Sequence, residues 1–383
     1  MKTLKDIEYL SGVKVLVRVD FNVPIKNGVV VEDFRVRAAL PTIDYLIGKG
    51  AKVILMSHLE AADGTNPSLA PVADCLKRLG KEVMFIKDFN RAHDVTNEQL
   101  KGGACALLEN LRFFDGEKKN DLKFAKELAS LGDLYVNDAF SVCHREHASV
   151  VGVPKFLPSY AGLQLEKEVA NLSRAFTPTH PFLFILGGAK FDTKLPLLEK
   201  FIEIADSVFV GGALANDLLK AKGYAVGKSV VSKEDDLRLK IYDLRKLAQN
   251  PKIILPLDII DEKKQVEPVN AIGADDKNMD IGPDTMEALK SIVATAKFIL
   301  WNGPLGLYES GFKEATIELA KMISEATANG TESIVGGGDT LAAIAELGAQ
   351  EKFTFISTGG GAMLDFLATG TLPGIEALKN SNL

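Results

Sequence analysis

Two glycine triplets late in the chain, Gly336–Gly338 and Gly359–Gly361, each lie between an apolar run and helix-forming sequence. A strand that ends in glycine and opens into a helix suits phosphate. Glycine lets the backbone come close, and the first helical N–H groups and the helix dipole face the anion. Asp339 follows the first triplet directly. A carboxylate there fits a Mg²⁺ ligand, since Mg²⁺ is ordinarily held by one or two carboxylates together with phosphate oxygens. Either triplet alone reads as a tight turn in an α/β sheet; the pair with its adjoining Asp reads as a phosphate site. Lys190 and Lys194, in the run Gly-Gly-Ala-Lys-Phe-Asp-Thr-Lys, bring mobile point cations to another glycine turn. A lone lysine there would read as a surface residue. Glu309, soon after Trp301-Asn302-Gly303-Pro304, reads equally as an acceptor for ribose hydroxyls or as a solvated carboxylate.

The first half carries a different set. Asp20 and Asn22 offer acceptor and donor groups to a hydroxylated substrate, and Arg35, Arg112 and Arg145 offer forked donors for carboxylate or phosphate. The loops that hold these arginines, His58 and His144 can bring them to one rim. His144 and His147 read as anion donors or structural residues rather than as a catalytic pair, because no acidic orienter or nucleophile has a specific spacing to them.

Strand-like runs alternating with helical stretches must position these groups. Strands are predicted at Lys14–Val19, Lys52–Met56, Glu82–Ile86, Ala104–Leu108 and Leu134–Asn137, with helices at Ala39–Gly50, Leu69–Leu79 and Asp121–Leu131. A long helix over Ala161–Phe176 marks the domain boundary. The alternation then restarts, with strands at Phe182–Leu186, Ser207–Val210, Lys252–Leu255, Phe298–Leu300, Ser333–Val335 and Phe353–Ile356. Such a βαβα pattern predicts parallel sheets covered by helices, with functional loops at the C-terminal ends of the strands.

The 383 residues exceed what one core usually organises, and 46% hydrophobic with 25% charged residues is ordinary for a soluble globular chain. The net charge of −6 argues against general attraction to nucleic acid or membrane. Three cysteines without short spacing fit reduced thiols in a cytoplasmic protein. No signal peptide, bilayer-spanning run or HExxH pattern is recognised. Neither the P-loop GxxxxGK[ST] nor the protein-kinase HRD and DFG patterns occur.

Taken in order, the motifs resemble the phosphoglycerate kinase family over the whole chain. The matching runs in the first half are Arg18–Pro24, Ser57–Leu59, Leu108–Phe113, Asn137–Phe140, His144-Arg145 and His147–Ser149. In the second half they are Gly187–Lys190, Trp301–Pro304, Gly336–Thr340, Ser357–Ala362 and Leu372–Gly374. The resemblance implies two doubly wound parallel-sheet, Rossmann-like α/β domains joined by a helical hinge: residues 1–162 for phosphoglycerate, 163–370 for nucleotide, and a tail, 371–383, that returns to the N-terminal domain. It implies a hinge-bending cytoplasmic monomer that transfers a phosphoryl group between 1,3-bisphosphoglycerate and ADP, giving 3-phosphoglycerate and MgATP, with no nucleic-acid or membrane partner.

Carried over by residue, Asp20, Asn22, Arg35, His58, Arg112 and Arg145 would bind phosphoglycerate. Gly187, Lys190, Lys194, Gly211, Asn302, Pro304, Glu309, Gly336, Gly337, Gly338, Asp339 and Thr340 would hold ATP or ADP, with Asp339 contacting Mg²⁺. Arg35, Lys190 and the N–H groups around Gly360 would neutralise the phosphoryl group in flight. The chain departs from the family at Glu60-Ala61-Ala62, where Gly-Arg-Pro is usual, at Ala315 in place of glycine, and at Phe191-Asp192-Thr193. A non-catalytic relative that binds nucleotide or a partner is the competing reading. The joint retention of Arg35, Arg112, Arg145, Lys190, Lys194 and Asp339 argues against it. A dinucleotide-dependent dehydrogenase shares the alternation but would need a GxGxxG after the first strand, which is missing.

Overall fold

The computed structural model describes residues 1–61, 63–189, 191–232 and 241–381. Two compact units share the chain: Met1–Ala170 with Thr369–Leu383, and Asn171–Ala368. The division falls inside a helix, Leu163–Ser173.

The first unit is built on six parallel strands: β1 (Lys14–Arg18), β2 (Lys52–Met56), β3 (Val83–Ile86), β4 (Cys105–Leu108), β5 (Leu134–Asn137) and β6 (Ser159–Ala161), in the order β3-β4-β2-β1-β5-β6. The central strands are near-continuous buried runs, as expected when helices cover both faces of a parallel sheet. The chain runs outward from β1 to β2 on one side and later crosses to β5 on the other. The gap between β1 and β5 is therefore a topological switch point, where ligands enter open α/β sheets. A C-terminal helix, Pro373–Lys379, belongs to this unit, and the Gly374 N–H donates to the Cys143 carbonyl at 2.8 Å.

The second unit repeats the plan with β7 (Phe182–Leu186), β8 (Ser207–Val210), β9 (Ile253–Ile254), β13 (Phe298–Asn302), β14 (Glu332–Gly336) and β15 (Phe355–Ile356), ordered β9-β8-β7-β13-β14-β15. Its switch point lies between β7 and β13. Three short antiparallel strands intervene in sequence: β10 (Asp258–Ile260), β11 (Val266–Pro268) and β12 (Asp280–Ile281). The predicted strand over Lys252–Leu255 is cut to two residues, because Pro256 has no N–H to continue a ladder. The antiparallel strands, two or three residues each, are too short to show a period and were not predicted. The first helix begins at Phe34 rather than Ala39 and keeps Pro41 inside it. Burial of Val36, Ala39, Ile43 and Leu46 outweighs the single backbone donor that Pro41 lacks.

Candidate active site

In the first unit the chain leaving β1 turns sharply. Asp20 Oδ1 accepts the Asn22 N–H at 3.0 Å, and its Oδ2 takes the Ser141 hydroxyl at 2.5 Å from the loop after β5. This bond crosses the switch point. Arg35, in the first turn of the helix Phe34–Gly48, reaches back to Asp20 Oδ2 at 3.0 Å and to the Asn22 carbonyl at 3.2 Å. Asn22 Oδ1 accepts the Glu60 N–H at 3.0 Å, tying the loop after β2 to the loop after β1.

Behind this rim lies a desolvated basic cluster. Arg18 is fully buried; it donates to Ser149 Oγ at 2.9 Å and lies 3.2 Å from His58 Nδ1. Ser149 in turn donates its hydroxyl and its N–H to the buried Glu117 carboxylate at 2.6 and 2.9 Å. His58 is held well below the usual imidazole range, first by burial and then by Arg18, Arg112 and Arg145. His147 is pushed down to about 3 by burial and by Arg112, Arg145 and Arg18. Both imidazoles are therefore neutral at pH 7. Burial also lowers Arg112, whose Nε has no hydrogen-bond partner. The Glu60 carboxylate stands 3.5 Å from that Nε, and Lys118 lies 3.9 Å from its other oxygen. Arg145 Nε donates to His144 Nε2 at 3.4 Å. All six residues expected to bind substrate, Asp20, Asn22, Arg35, His58, Arg112 and Arg145, belong to this connected set. Glu117 lies outside every motif read in the sequence, and Ser149 is marked only as the end of the run His147–Ser149.

In the second unit, backbone does most of the building. Across the switch point the Gly187 N–H donates to the Asn302 carbonyl at 2.9 Å and the Gly188 N–H to the Pro304 carbonyl at 2.8 Å. A Cβ on Gly187 would collide with the Pro304 and Gly303 carbonyls, so glycine is required by close approach. The fully buried Trp301 donates Nε1–H to the Gly303 carbonyl at 2.9 Å and so closes its own turn. The Gly303 N–H is bound by Thr340 Oγ1 at 3.1 Å. Gly337, at φ 108°, turns the chain from β14 into the helix Gly338–Glu346, a conformation closed to most residues with a side chain.

These turns surround a cavity of about 920 Å³. Lys194, Asn302, Pro304, Glu309, Gly337, Gly338, Asp339 and Gly360 line it. Gly187, Gly211, Gly336 and Thr340 do not: they form the wall behind, with Thr340 fully buried against Gly303. Lys190 lies outside the described residues. Gly188, Gly212, Lys228, Lys277, Asn278 and Tyr308 also line the cavity. No sequence pattern marked Lys228, Lys277 or Asn278, which come from irregular segments flanking the helix Ile241–Ala248 and the antiparallel strands.

Lys194 is buried and donates Nζ–H to the Gly187 carbonyl. Burial lowers its pKa to about 8, with Asp339 opposing the shift. Asp339 sits half-buried in the first turn of its helix, facing the cavity. The half-buried Asp339, the buried Lys194 ammonium and the backbone amides suit a polyphosphate with a divalent ion, because the phosphate oxygens would supply most of the metal's ligands. The three cysteines are buried and free, and burial pushes Cys105 and Cys143 up to about 12, so these two stay thiols at pH 7.

A family model for phosphoglycerate kinase matches residues 4–370. A phosphoglycerate kinase of Dictyoglomus turgidum is 44% identical over 396 aligned residues, covering 99% of each chain. That of Aquifex aeolicus is 45% identical over 390, covering 97% of this chain and 96% of its own. Among solved structures, phosphoglycerate kinase of Pyrococcus horikoshii aligns with a TM-score of 0.87 at 34% identity, covering 100% of this chain and 99% of its own. The Coxiella burnetii structure gives 0.85 at 36% identity, covering 98% of each.

Proposed function

This chain belongs to the phosphoglycerate kinase family, and on that premise we propose that its two units divide one phosphoryl transfer between them. The enzyme is a glycolytic phosphotransferase with a carboxyl group as acceptor, interconverting 1,3-bisphosphoglycerate and ADP with 3-phosphoglycerate and ATP. The observation that carries the division is the contrast between the two switch points: one is ringed by buried arginines and neutral histidines, the other by glycine turns around a cavity.

In this reading Asp20, Asn22, Arg35, His58, Arg112 and Arg145 bind phosphoglycerate. Forked guanidinium donors match carboxylate and phosphate oxygens, and desolvation strengthens each bond. Neutral His58 and His147 offer hydrogen bonds without adding further charge to the cluster. Lys194, Asn302, Pro304, Glu309 and Gly337–Asp339 hold the nucleotide, with Gly187, Gly211, Gly336 and Thr340 shaping the wall. Asp339 would hold Mg²⁺, which neutralises phosphate charge when bound. The acceptor is a carboxylate, already ionised near neutral pH, so no general base is needed. What remains is alignment and charge neutralisation of a metaphosphate-like group. We assign that to Arg35, Lys190 and the amides around Gly360. Transfer requires the two bound ligands to meet, so hinge motion and exclusion of water belong to the proposal.

A cytoplasmic monomer is proposed on the family's precedent. Among the described residues, no helix is long and apolar enough to cross a membrane. A coupled assay with 3-phosphoglycerate and MgATP tests the activity. Turnover that requires both substrates is expected; nucleotide binding without turnover would indicate the non-catalytic relative.

A further inference from the structure

We infer that Asp261, Glu267 and Asp276 form a binding site for a hard divalent cation of calcium's size, on the antiparallel sheet of the second unit. One carboxylate oxygen from each residue lies within 4.8 Å of the other two. Asp261 follows β10 and opens the turn to β11. Its Oδ1 is fixed by the Lys263 and Gln265 N–H groups at 2.8 and 2.7 Å. Its other oxygen, Oδ2, is buried and has no hydrogen-bond partner, in a residue only 1% exposed. Glu267 lies on β11, paired with Ile259 of β10, and its Oε2 is likewise buried without a partner. Asp276 is fixed from the third side, its Oδ2 accepting the Gly273 N–H at 2.9 Å.

Carboxylates this close repel one another unless cations or shared protons lie between them. Among the described residues no lysine, arginine or histidine forms an ion pair with any of the three. The nearby Lys228 pairs instead with Asp275 at 2.6 Å. Unpartnered buried carboxylate oxygens are costly, and an all-oxygen donor set selects hard cations. Three carboxylates in one all-protein set favour calcium, which takes six to eight oxygens in flexible geometry, whereas magnesium is usually held by only one or two carboxylates with water and phosphate oxygens. Water would complete the shell on the side where Glu267 and Asp276 are partly exposed.

The site would also have a consequence for the cavity. Asp276 accepts the Lys228 N–H on its carbonyl at 2.8 Å, and Lys228, Lys277, Asn278 and Met279 all line the cavity. A cation held by Asp276 therefore anchors part of the cavity wall.

The test is calorimetric titration of the chelator-treated, nucleotide-free full chain with CaCl₂, alongside thermal unfolding in calcium and in EGTA at matched ionic strength. One calcium per chain is expected, with Tm rising about 5–10 °C at a hundredfold excess over Kd. Glu267→Gln and Asp261→Asn should weaken binding at least tenfold, whereas Asp339→Asn should retain it. Binding unchanged by both cluster variants, or lost in Asp339→Asn, would overturn the proposal. Should the variants not fold, the wild-type comparison still decides, because a Tm indifferent to calcium overturns the site. A Tm that rises only on acidification, without a calcium response, would mean that protons balance the cluster and would equally overturn it.

Discussion

The two switch points have the same sheet geometry and are lined in opposite ways. In the first unit the groups gathered there are side chains taken out of water: burial is the leading cause of the downward shifts of His58, His147 and Arg112. In the second unit the wall is backbone. Gly187, Gly188, Gly303 and Gly337 bring amides and carbonyls into contact, and Lys194 is the cavity-lining residue that burial shifts downward. A fork of buried guanidiniums can read the spacing of a small dianion or trianion, at the cost of holding like charges together. A backbone wall carries no such cost but discriminates by shape, and it leaves charge neutralisation to a few lysines and a metal. The physical lesson is that the first site should be sensitive to single charges, and the second to geometry and to the metal ligand.

The largest effect should come from Arg112. Replacing it by Gln removes a charge-assisted bond of roughly 1.5–3 kcal/mol, raising the 3-phosphoglycerate KM about 10–100-fold. The MgATP KM should stay within twofold. Steady-state kinetics on both substrates checks this; equal rises in both KM values would break the comparison.

Lys194 provides the counterpart in the second unit. Its pKa in the folded protein, about 8, lies below the ordinary 10.5. Between those values the unfolded chain binds more protons, so the ligand-free protein should gain stability as pH rises through that window. The penalty is fully present below about pH 8. Lys194→Met should remove that pH dependence and stabilise the ligand-free protein at pH 7 by on the order of 2–3 kcal/mol, while weakening MgATP binding. Thermal unfolding across pH 7–10.5 reads both signs. A variant less stable than wild type at pH 7 would refute the reading of Lys194 as a buried charge.

Glu60 gives the smallest effect. The family usually has glycine there and arginine at the position of Ala61; this chain instead holds a carboxylate 3.5 Å from Arg112 Nε. With Arg112 as the proposed substrate contact, the substrate's anion would compete with it. Glu60 is about a third exposed, so the pair is worth at most about 1 kcal/mol. Glu60→Gly should lower the 3-phosphoglycerate KM about two- to fivefold, and Ala61→Arg should lower it further. An unchanged KM in both would show that this loop does not touch the substrate.

Particular residues explain what was legible beforehand. Gly337, Gly338 and Asp339, which line the cavity, stand out in the sequence because a glycine triplet between strand and helix has few uses, and the adjoining Asp narrows them. Asp20, Arg35 and Arg112 could be read because each follows a strand end, or sits on the first turn of the next helix, in a parallel sheet. Glu117, which holds Ser149 and through it Arg18, was invisible: a buried Glu far from the strand ends looks like any helical surface carboxylate. Lys228, Lys277 and Asn278 were invisible for another reason. They are brought to the cavity by tertiary packing of segments without periodicity. Thr340, Gly187, Gly211 and Gly336 do not line the cavity, since sequence adjacency to a turn does not say which side faces it.

The separation of labour between the units is tested most directly by titrating MgATP and 3-phosphoglycerate separately into Asp339→Asn by calorimetry. The account predicts that MgATP binding weakens at least tenfold while 3-phosphoglycerate binding stays within twofold of wild type. Equal losses for both ligands would contradict it.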